Sequence, residues 1–389
     1  MVTTMTKLLP PPRTLERIAI LKQRPGLVWE GTGVSNPGAL RLPDGTIALM
    51  YRGCGSNNVG HLGFCRLDAE GRRVLSGTRS RQPLNVRSEA EKKEFPGGYG
   101  DPRLTKAGEW YYIWANARNN DQMKINRETH ANDFNGQYMG GRQTVAFRTK
   151  DFKNVEYLGL HGPDEFDKNS FLHPDPVIID GVPYWAFFHR IQYTIQVALA
   201  PSLDFLKERE PWRQHVAHLD DFVMMRPELE WEGVESGDGW PGSISGGTPP
   251  LRVESDKLPE VYDPSRQYWL MFYNASGNAR EGKIARDRRV GAIIFTTKDH
   301  LDLQSQPFKV VARTAEPVLL PKEPYEFDSP NGDVVFATAA VKTLDNKAVD
   351  VFYGSGDTVV SKARFDLQEL VDYTVQFDGH AKPVSRSGR

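Results

Sequence analysis

NPGALRLPDGTIALMYRG, residues 36–53, is the first of five similar stretches in this chain. Each stretch begins as a short apolar strand, passes through a polar turn such as PDG and continues as an aromatic-rich strand, which is typical of a β-hairpin. The other four are DPRLTKAGEWYYIWANA from Asp101, HPDPVIIDGVPYWAFFHR from His173, TPPLRVESDKLPEVYDPSRQYWLMFYNA from Thr248 and ATAAVKTLDNKAVDVFYGS from Ala337. The repeat indicates a protein assembled from five similar β-units.

A second series of apolar strands alternates with the five hairpins. Its members, each of which ends near an Asp and a turn, are HLGFCRLDAEG, TVAFRTKDFKN, IQVALAPSLDFL, VGAIIFTTKDHLDL and VVSKARFDLQEL. Because the first two hairpins start 65 residues apart and the later ones further apart, each unit has room for three or four antiparallel strands. Such units repeated around an axis predict an all-β fold, a five-bladed β-propeller, with residues 26–389 as one domain.

Residues 1–25 are predicted to form an N-terminal arm. Three consecutive prolines favour an extended lead-in, and TLERIAILKQ, residues 14–23, has the periodicity of a short amphipathic helix. The arm could pack against a second copy of the chain, giving a homo-oligomer, or remain an exposed tail. The polar stretches 118–141 and 228–247 are predicted to be loops that line a site, because loops of that length are otherwise uncommon.

The composition argues against several classes of function. The 389 residues include 49 basic and 50 acidic side chains, which leaves no excess of cations for binding nucleic acid or an anionic membrane. The chain has two cysteines, no secretion signal at its start and no apolar segment of about 18 residues, so we expect a cytoplasmic protein. The histidines show no metal-ligand spacing, and we expect no metal or other cofactor.

The openings of the innermost strands are where a propeller holds its ligand. These positions hold Asn36, Asp101, Asp175, the turn 246–248 and Asp357. Around them we expect Arg52, Arg103, Lys168, His189, Arg190 and the aromatic residues Tyr99, Trp240 and Tyr273. A funnel with few acids, several hydrogen-bonding side chains and aromatic walls suits a sugar. Any one Asp or Asn before Pro is readily explained as a turn residue, but five in phase favour a site.

Asp101 is the best candidate for the acid that cleavage of a glycosidic bond requires. It lies in GGYGDPRL, where three glycines allow close approach of a ligand and Arg103 follows two residues later. Its alternative role is to form the turn that opens the second unit.

The order of several motifs resembles glycoside hydrolase family 130. They are NPGA followed by MYRG, GDPR, a Lys ahead of a strand that ends in HR, PYE, and the final VFYGSGDTVV, and they extend from about Asn36 to about Leu370. The resemblance implies a five-bladed propeller that acts on β-mannosides. Members of that family are mostly inverting phosphorylases and, in one branch, hydrolases.

The resemblance also implies roles for single residues. Asp101 matches the family's general acid, which delivers its proton through a sugar hydroxyl, while Asn36 and Asp357 match residues that hold the mannosyl ring. Further candidates for substrate binding are Arg52, Arg103 and His189. The candidates for binding phosphate are Arg66, Lys168 and Arg190, with Arg148 as an additional one.

Three positions depart from the family pattern, and they keep hydrolysis open. Gly100 precedes the acid where relatives usually have Glu or Tyr, Asn274 replaces a phosphate-binding His, and Arg288 replaces a Tyr. A phosphate dianion needs several cationic or N–H donors, whereas an inverting hydrolase needs a second carboxyl group about 6.5–9.5 Å from the first. Candidates for that base are Glu232, Glu235 and Glu326, for which structural or solvated roles are the simpler interpretation.

We therefore predict an inverting β-mannoside phosphorylase that uses inorganic phosphate and releases α-mannose 1-phosphate. The alternatives are an inverting β-mannosidase that uses water and a sugar-binding propeller without catalysis. A furanoside-cleaving propeller is disfavoured, because Asn36 stands where those enzymes usually place an Asp base.

Overall fold

The computed structural model describes residues 8–85, 87–129, 140–234, 242–279, 286–327 and 332–384. These residues form mostly β-strands, which confirms the all-β prediction. The strands are β1 Thr14–Leu21, β2 Gly33–Arg41, β3 Ile47–Cys54, β4 Gly60–Leu67, β5 Gly98–Ala107, β6 Trp110–Arg118, β7 Arg142–Thr149, β8 Glu156–Leu160, β9 Phe171–Leu172, β10 Val177–Ile179, β11 Val182–His189, β12 Ile195–Ala200, β13 Val223–Met225, β14 Ile244–Gly246, β15 Leu251–Val253, β16 Tyr268–Ala279, β17 Arg286–Thr297, β18 Phe308–Arg313, β19 Val335–Lys342, β20 Ala348–Ser355 and β21 Val359–Asp366.

The hydrogen-bonded strands form four sheets. The largest has the order β2-β3-β4-β5-β6-β7-β8, but a single parallel bridge between Gly60 and Gly98 joins its two antiparallel parts. The second sheet contains β9 to β13, the third contains β14 to β18, and the fourth has the order β1-β21-β20-β19. The described strands therefore group into five antiparallel units, numbered here one (β2–β4), two (β5–β8), three (β9–β13), four (β14–β18) and five (β19–β21 with β1).

Strand β1 corrects the predicted N-terminal helix. Its residues pair antiparallel with β21, with Thr14 opposite Phe365 and Leu21 opposite Val360. The β-branched residues Ile18 and Ile20 suit a strand, and pairing with an available sheet edge outweighs a weak local helical periodicity. Residues 14–21 consequently belong to unit five and not to a separate arm.

The hydrophobic core lies between neighbouring units. One buried cluster joins units one and two, a second joins units two, three and four, a third joins units four and five, and a fourth joins units five and one. Aromatic contacts cross these boundaries, for example Trp114 with Phe187 at 5.1 Å and Phe272 with Phe365 at 6.3 Å between ring centroids. The aromatic residues that the hairpin repeat provides are thus what holds successive units together.

Prolines mark bulges at the openings of two first strands. β2 is bulged between Ser35 and Gly38, and β5 is bulged between Gly100 and Arg103. Proline cannot donate to a ladder, so a strand interior tolerates it mainly at such bulges. The residue before each proline, Asn36 or Asp101, thereby leaves the regular pairing.

The described residues also contain four helices, α1 Glu89–Glu94, α2 Asn120–Thr129, α3 Arg209–Ala217 and α4 Leu367–Thr374. Helix α2 lies within the predicted loop 118–141, and the 3₁₀ helix Glu230–Glu232 lies within the predicted loop 228–247. Residues 130–139 and 235–241 of these loops, including Trp240, fall outside the described ranges. In the part of the chain described, no helix is long and apolar enough to cross a membrane.

Candidate active site

Four polar residues, three near the openings of units and one in the turn after β20, have left-handed backbone conformations. The φ angles are 48° for Asn36, 51° for Asp101, 63° for Asn169 and 55° for Asp357. Asn and Asp tolerate this region better than other non-glycine residues, and such conformations cluster at functional sites. Hydrogen bonds and ion pairs connect these four residues through Asp101, Asn116 and Arg52.

Asp101 is buried, and its carboxylate accepts hydrogen bonds from two neighbouring asparagines. Asn36 Nδ2 donates to Oδ1 at 2.7 Å, and Asn116 Nδ2 donates to Oδ2 at 2.9 Å. Asn116 also contacts Asn169, whose main-chain N–H donates to Asn116 Oδ1 at 2.9 Å. The three asparagines therefore fix the position of the Asp101 carboxylate from units one, two and three.

The charge around Asp101 favours its ionised form. Burial by itself raises the pKa of this carboxyl, but the guanidinium groups of Arg52, Arg103 and Arg142 and the Asn36 amide together hold the pKa below its ordinary value. In the free protein Asp101 is thus a carboxylate. It can act as an acid only when a bound ligand changes this balance of charge.

Arg52 joins Asp101 to Asp357. Its Nη1 lies 3.3 Å from Asp101 Oδ1 and its Nη2 lies 3.4 Å from Asp357 Oδ1. The absence of a side chain at Gly100 makes this possible, since a β-carbon there would approach Arg52 Cδ to 2.6 Å. The predicted substrate residues Asn36, Arg52 and Asp357 are therefore brought together with Asp101.

Arg103 is fully buried beneath the same carboxylate. Its Nη1 donates to the main-chain oxygen of Asp101 at 2.9 Å, its Nε donates to Gly247 O at 3.3 Å, and its guanidinium lies over the Phe336 ring. These contacts link units two, four and five, so Arg103 holds together the units around Asp101. Burial lowers the pKa of Arg103 to about 10, against the effect of Asp101.

Three further cations lie close to this group: Lys168, Arg142 and Arg190. Burial, reinforced by Arg190, Arg142 and Arg288, lowers the pKa of Lys168 well below its usual range. Burial also lowers the pKa of Arg142 and of Arg190 to about 10. Within the described residues no carboxylate pairs with Lys168, so an anionic ligand bound beside these three side chains would supply a counter-charge and favour their protonated forms.

Arg190 and Arg142 are held in different ways. Arg190 Nε donates to Ile244 O at 3.0 Å and Nη2 donates to Ser243 Oγ at 2.7 Å, which anchors it to unit four. Arg142 opens β7 opposite Arg118, and sequence reasoning did not select it. Its position directly after a Gly-Gly pair and ahead of an apolar strand is the signal that could have identified it.

Several buried polar atoms lie beside Asp101. Asn36 Oδ1, Asn169 Nδ2, Arg52 Nε and Arg142 Nε make no hydrogen bond with any of the described residues. A buried polar atom left unpaired costs stability, which a ligand that completes these bonds would recover. The mixture of amide and guanidinium groups suits hydroxyl and phosphate oxygens.

Arg66 does not join this group, which corrects its assignment to the phosphate site. It pairs with Ala48, four residues along β3 from Arg52, which places it roughly 13 Å along the strand from the Arg52 position. There it forms an ion pair with Asp44 and hydrogen bonds with Thr46. Arg148 is also occupied elsewhere, by Glu156 at 2.7 Å and by stacking on Trp110.

Glu232 and Glu326 are structural ion-pair partners. Glu232 is fully buried and accepts from Arg313 at 2.5 and 2.6 Å and from Tyr273 at 2.7 Å. Glu326 is fully buried and accepts from Arg17 at 3.0 and 2.6 Å and from Tyr353 at 2.7 Å. Neither carboxylate is open to a water molecule, so the assignment of either as a base is corrected. Glu235, the third candidate, lies outside the described residues.

The remaining expected residues have protein partners. Asn274 bonds the main chain of Ala337 on both sides of its amide, at 2.9 and 2.8 Å, so it secures unit four to unit five. The Arg288 guanidinium contacts Ser276 Oγ. His189 Nε2 lies 2.8 Å from His215 Nε2 and its Nδ1 lies 3.5 Å from Asp167 Oδ1. His189 Nε2 therefore bonds a protein group, whereas Nδ1 makes no hydrogen bond with the described residues, so the assignment of His189 as a substrate ligand stays a prediction.

The other positions singled out from the sequence have structural roles. Tyr99 and Tyr273 are buried, with their hydroxyls bonded to Glu91 and Glu232, so neither forms an aromatic wall. The ring nitrogen Nδ1 of His173 contacts the main-chain oxygen and the main-chain N–H of Asp175, two residues later, as expected for a turn that opens a strand. Among the described residues no three His, Cys, Asp or Glu side chains are grouped so as to hold a metal ion.

Comparison with known proteins confirms the resemblance to glycoside hydrolase family 130. The family model described as β-1,4-mannooligosaccharide phosphorylase matches residues 265–376. A β-1,2-mannobiose phosphorylase from Listeria innocua is 26% identical over 70% of this chain and 59% of the relative, so the chain spans less than two thirds of that relative. A 1,2-β-oligomannan phosphorylase from a Thermoanaerobacter species is 23% identical over 88% of this chain and 93% of the relative.

Solved structures support the fold. The crystal structure of the Listeria innocua β-1,2-mannobiose phosphorylase in complex with β-1,2-mannobiose has a TM-score of 0.57 to this chain. The match covers 88% of this chain and 92% of the other at 19% sequence identity. At this identity the likeness establishes a shared architecture.

Proposed function

We propose that this protein is an inverting β-mannoside phosphorylase that cleaves its substrate with inorganic phosphate and releases α-mannose 1-phosphate. The observation that carries the proposal is the group of Lys168, Arg142 and Arg190 beside Asp101, together with the ion pairs that occupy two of the candidate bases, Glu232 and Glu326. The names of the two phosphorylase relatives agree with it.

We also propose that the five units surround one axis as the blades of a single propeller. Each unit contacts the next near the site, through the pairs Asn36–Asp101, Asn116–Asn169, Arg190–Ser243, Asn274–Ala337 and Thr338–Pro37. The last pair returns from unit five to unit one. A cavity of about 430 Å³ is lined by first-strand segments or adjoining turns of all five units, which agrees with a common centre.

In the proposed reaction an oxygen of phosphate attacks the anomeric carbon from the face opposite the glycosidic oxygen. The carbon–oxygen bond to the leaving sugar breaks, and that oxygen receives the Asp101 proton, directly or through a sugar hydroxyl. Asn36 and Asp357 hold the mannosyl ring. Arg52 lies between the carboxylates of Asp101 and Asp357. Inversion at the anomeric carbon converts the β-linkage into the α-phosphate.

The charges explain how Asp101 becomes an acid. A phosphate dianion near Lys168 and Arg142 offsets the positive field that keeps Asp101 ionised, and it thereby raises the pKa of Asp101. Binding of phosphate and uptake of a proton by Asp101 are then coupled. This coupling makes the acid form available only when the nucleophile is in place.

The test supplies the purified protein with β-1,2- and β-1,4-linked mannobiose, with and without inorganic phosphate. We expect α-mannose 1-phosphate with phosphate and little free mannose without it, and we expect D101N to lose activity by at least about 10²-fold. Equal release of free mannose in both conditions would identify a hydrolase. Binding of mannosides without turnover in either condition would identify a sugar-binding protein. A location in the cytoplasm, where a sugar phosphate would be retained, stays a prediction.

A further inference from the structure

A buried carboxylate bonded to a tyrosine recurs across the units. Units one, four and five use the pairs Glu30–Tyr51, Glu232–Tyr273 and Glu326–Tyr353, with oxygen–oxygen distances of 2.7–2.8 Å. These tyrosines lie on β3, β16 and β20, the strands that pair with the opening strands of their units, and each glutamate lies in the segment that precedes the first strand. We call this arrangement the latch, because it ties the loop before a unit to the unit itself.

Arginine completes the latch in these three units. Arg79 donates to Glu30 at 3.0 Å, Arg313 donates to Glu232 at 2.5 Å, and Arg17 donates to Glu326 at 2.6 Å. Arginine stays charged at every physiological pH, and burial is the largest cause of the raised pKa of Tyr51, Tyr273 and Tyr353. These three latches keep their protonation state near neutral pH.

Unit three has a latch made of different residues. Asp167 takes the place of the glutamate and His189 takes the place of the tyrosine, although His189 Nδ1 lies 3.5 Å from Asp167 Oδ1 and makes no hydrogen bond with the described residues. His215 contacts His189, whereas the arginines of the other latches contact the carboxylate. His189 Nε2 and His215 Nε2 are 2.8 Å apart, and all three side chains are buried. Because only one proton fits between two imidazole nitrogens at this distance, the bond requires at least one of them to be unprotonated there.

The unit-three latch holds the segment that carries the cations. Asp167 Oδ1 accepts the main-chain N–H of Arg190 at 2.8 Å, and Asp167 directly precedes Lys168 in the chain. The next residue, Asn169, contacts Asn116 beside Asp101. A shift of Asp167 would therefore move Lys168 and Arg190 together.

We propose that His215 is a positioning residue for the anionic co-substrate: through its bond to His189 it fixes the adjoining Arg190, whose main-chain N–H bonds Asp167, and so it holds Arg190 and Lys168 where they bind phosphate. This inference rests on the proposed function. Besides His189, His215 contacts the rings of Trp212 and Phe222.

His215 is expected to stay unprotonated, and the latch to stay closed, near neutral pH. The titratable groups around the His189–His215 pair are Asp167 on one side and His218 and Asp221 around the cavity of about 620 Å³ that His215 lines. Burial, followed by the proximity of His189, holds the pKa of His215 well below its usual range. Protonation of both imidazoles would place two N–H donors against each other and break the bond.

The test measures phosphate binding by calorimetry, and the KM for phosphate and kcat by turnover, at pH about 7.5 and about 5.5. The variants are H215F, which removes the bond, and H215Q, whose amide can restore it. The control is H218Q, which changes an exposed histidine that lines the same cavity. We expect H215F to weaken phosphate binding about five-fold, the energy of roughly one net hydrogen bond, with kcat less affected. We expect H215Q to recover most of the loss and H218Q to match the wild type.

The result that overturns the inference is an H215F variant whose phosphate affinity and pH profile equal those of H218Q. A wild-type protein that binds no phosphate overturns the proposed function instead. In that event the inference is decided by ¹⁵N NMR of the His189 ring, whose Nε2 signal we expect to shift in H215F because that nitrogen loses its hydrogen bond to position 215. An unchanged His189 signal in H215F would then refute the latch.

Discussion

Gly354 lies directly against the side chain of Asn36. A β-carbon at position 354 would overlap the amide oxygen of Asn36 and approach its main-chain nitrogen to 2.8 Å. Asn36 therefore keeps its orientation, and its hydrogen bond to Asp101, only because unit five presents a glycine at this point. The glycine of VFYGS is thus part of the site although it makes no polar contact with it.

We predict that G354A lowers turnover by at least about ten-fold while the protein remains folded. The added methyl group displaces Asn36, so the Asp101 carboxylate loses one of its two asparagine donors. Steady-state kinetics and thermal denaturation of the same samples measure the two effects. G26A is the control, because a β-carbon at Gly26 meets no atom within 4 Å. Unchanged kinetics in G354A would show that Asn36 does not position Asp101.

The two candidate sets of phosphate ligands can be separated by matched substitutions. We predict that K168M and R142M each raise the KM for phosphate by about ten-fold or more, because each removes a cation beside Asp101. R66M should leave that KM unchanged, because Arg66 pairs with Asp44 at the other end of its strand. Initial rates at varied phosphate decide between them. A raised KM in R66M alone would restore the assignment made from the sequence.

The repeat of hairpins was sufficient to predict the five units and the residues that open them. Asn36 and Asp101 meet because the period of the repeat places them at the same position of neighbouring units, whereas Asp357, in the turn after β20, joins them through Arg52. The prediction that Arg66 binds phosphate was wrong because a motif gives a position along a strand but does not show which end of the strand faces the site. The prediction of a helix at residues 14–21 was wrong because these residues pair with the sheet edge formed by β21, which lies more than 330 positions later in the chain.

The latches had a signal in the sequence that was not used. The tripeptide WEG occurs at residues 29–31 and again at 231–233. In both copies the glutamate bonds a tyrosine, which lies on β3 in the first case and on β16 in the second. In both copies the tryptophan also packs on that tyrosine, with ring centroids 6.1 and 5.7 Å apart. A repeated charged residue inside an aromatic motif indicates a buried, paired carboxylate, and this would have removed Glu232 from the candidate bases.

Substitution of Glu232 distinguishes a structural role from a catalytic one. We predict that E232Q loses about 3–5 kcal/mol of unfolding free energy, because it leaves the buried Arg313 guanidinium with only the partly exposed Glu228, 3.7 Å away, as counter-charge. Urea denaturation measures this loss. E230Q, which changes an exposed neighbour, should be near neutral. An E232Q protein with normal stability and no turnover would instead support Glu232 as the base of a hydrolase.

Buried histidines predict a loss of stability in acid. His161 and His173 each contact a main-chain carbonyl through Nδ1, at 3.0 and 2.7 Å, and burial lowers the pKa of each to about 4. The unfolded chain binds a proton on each ring at about pH 6.5, whereas the folded protein resists protonation until about pH 4. Stability is therefore complete above the unfolded pKa and is lost as the pH falls through this window, by up to about 3 kcal/mol per histidine.

The measurement is the free energy of unfolding in urea at several pH values between about 7.5 and 4.5 for the wild type, H173Q and H300Q. H173Q should show a shallower dependence on pH by the equivalent of one proton, together with a constant loss from altered packing against Trp269. H300Q, which changes an exposed histidine, should follow the wild-type slope. If H173Q kept the full wild-type slope, His173 would have to titrate normally in the folded protein, and its buried, neutral state would be refuted.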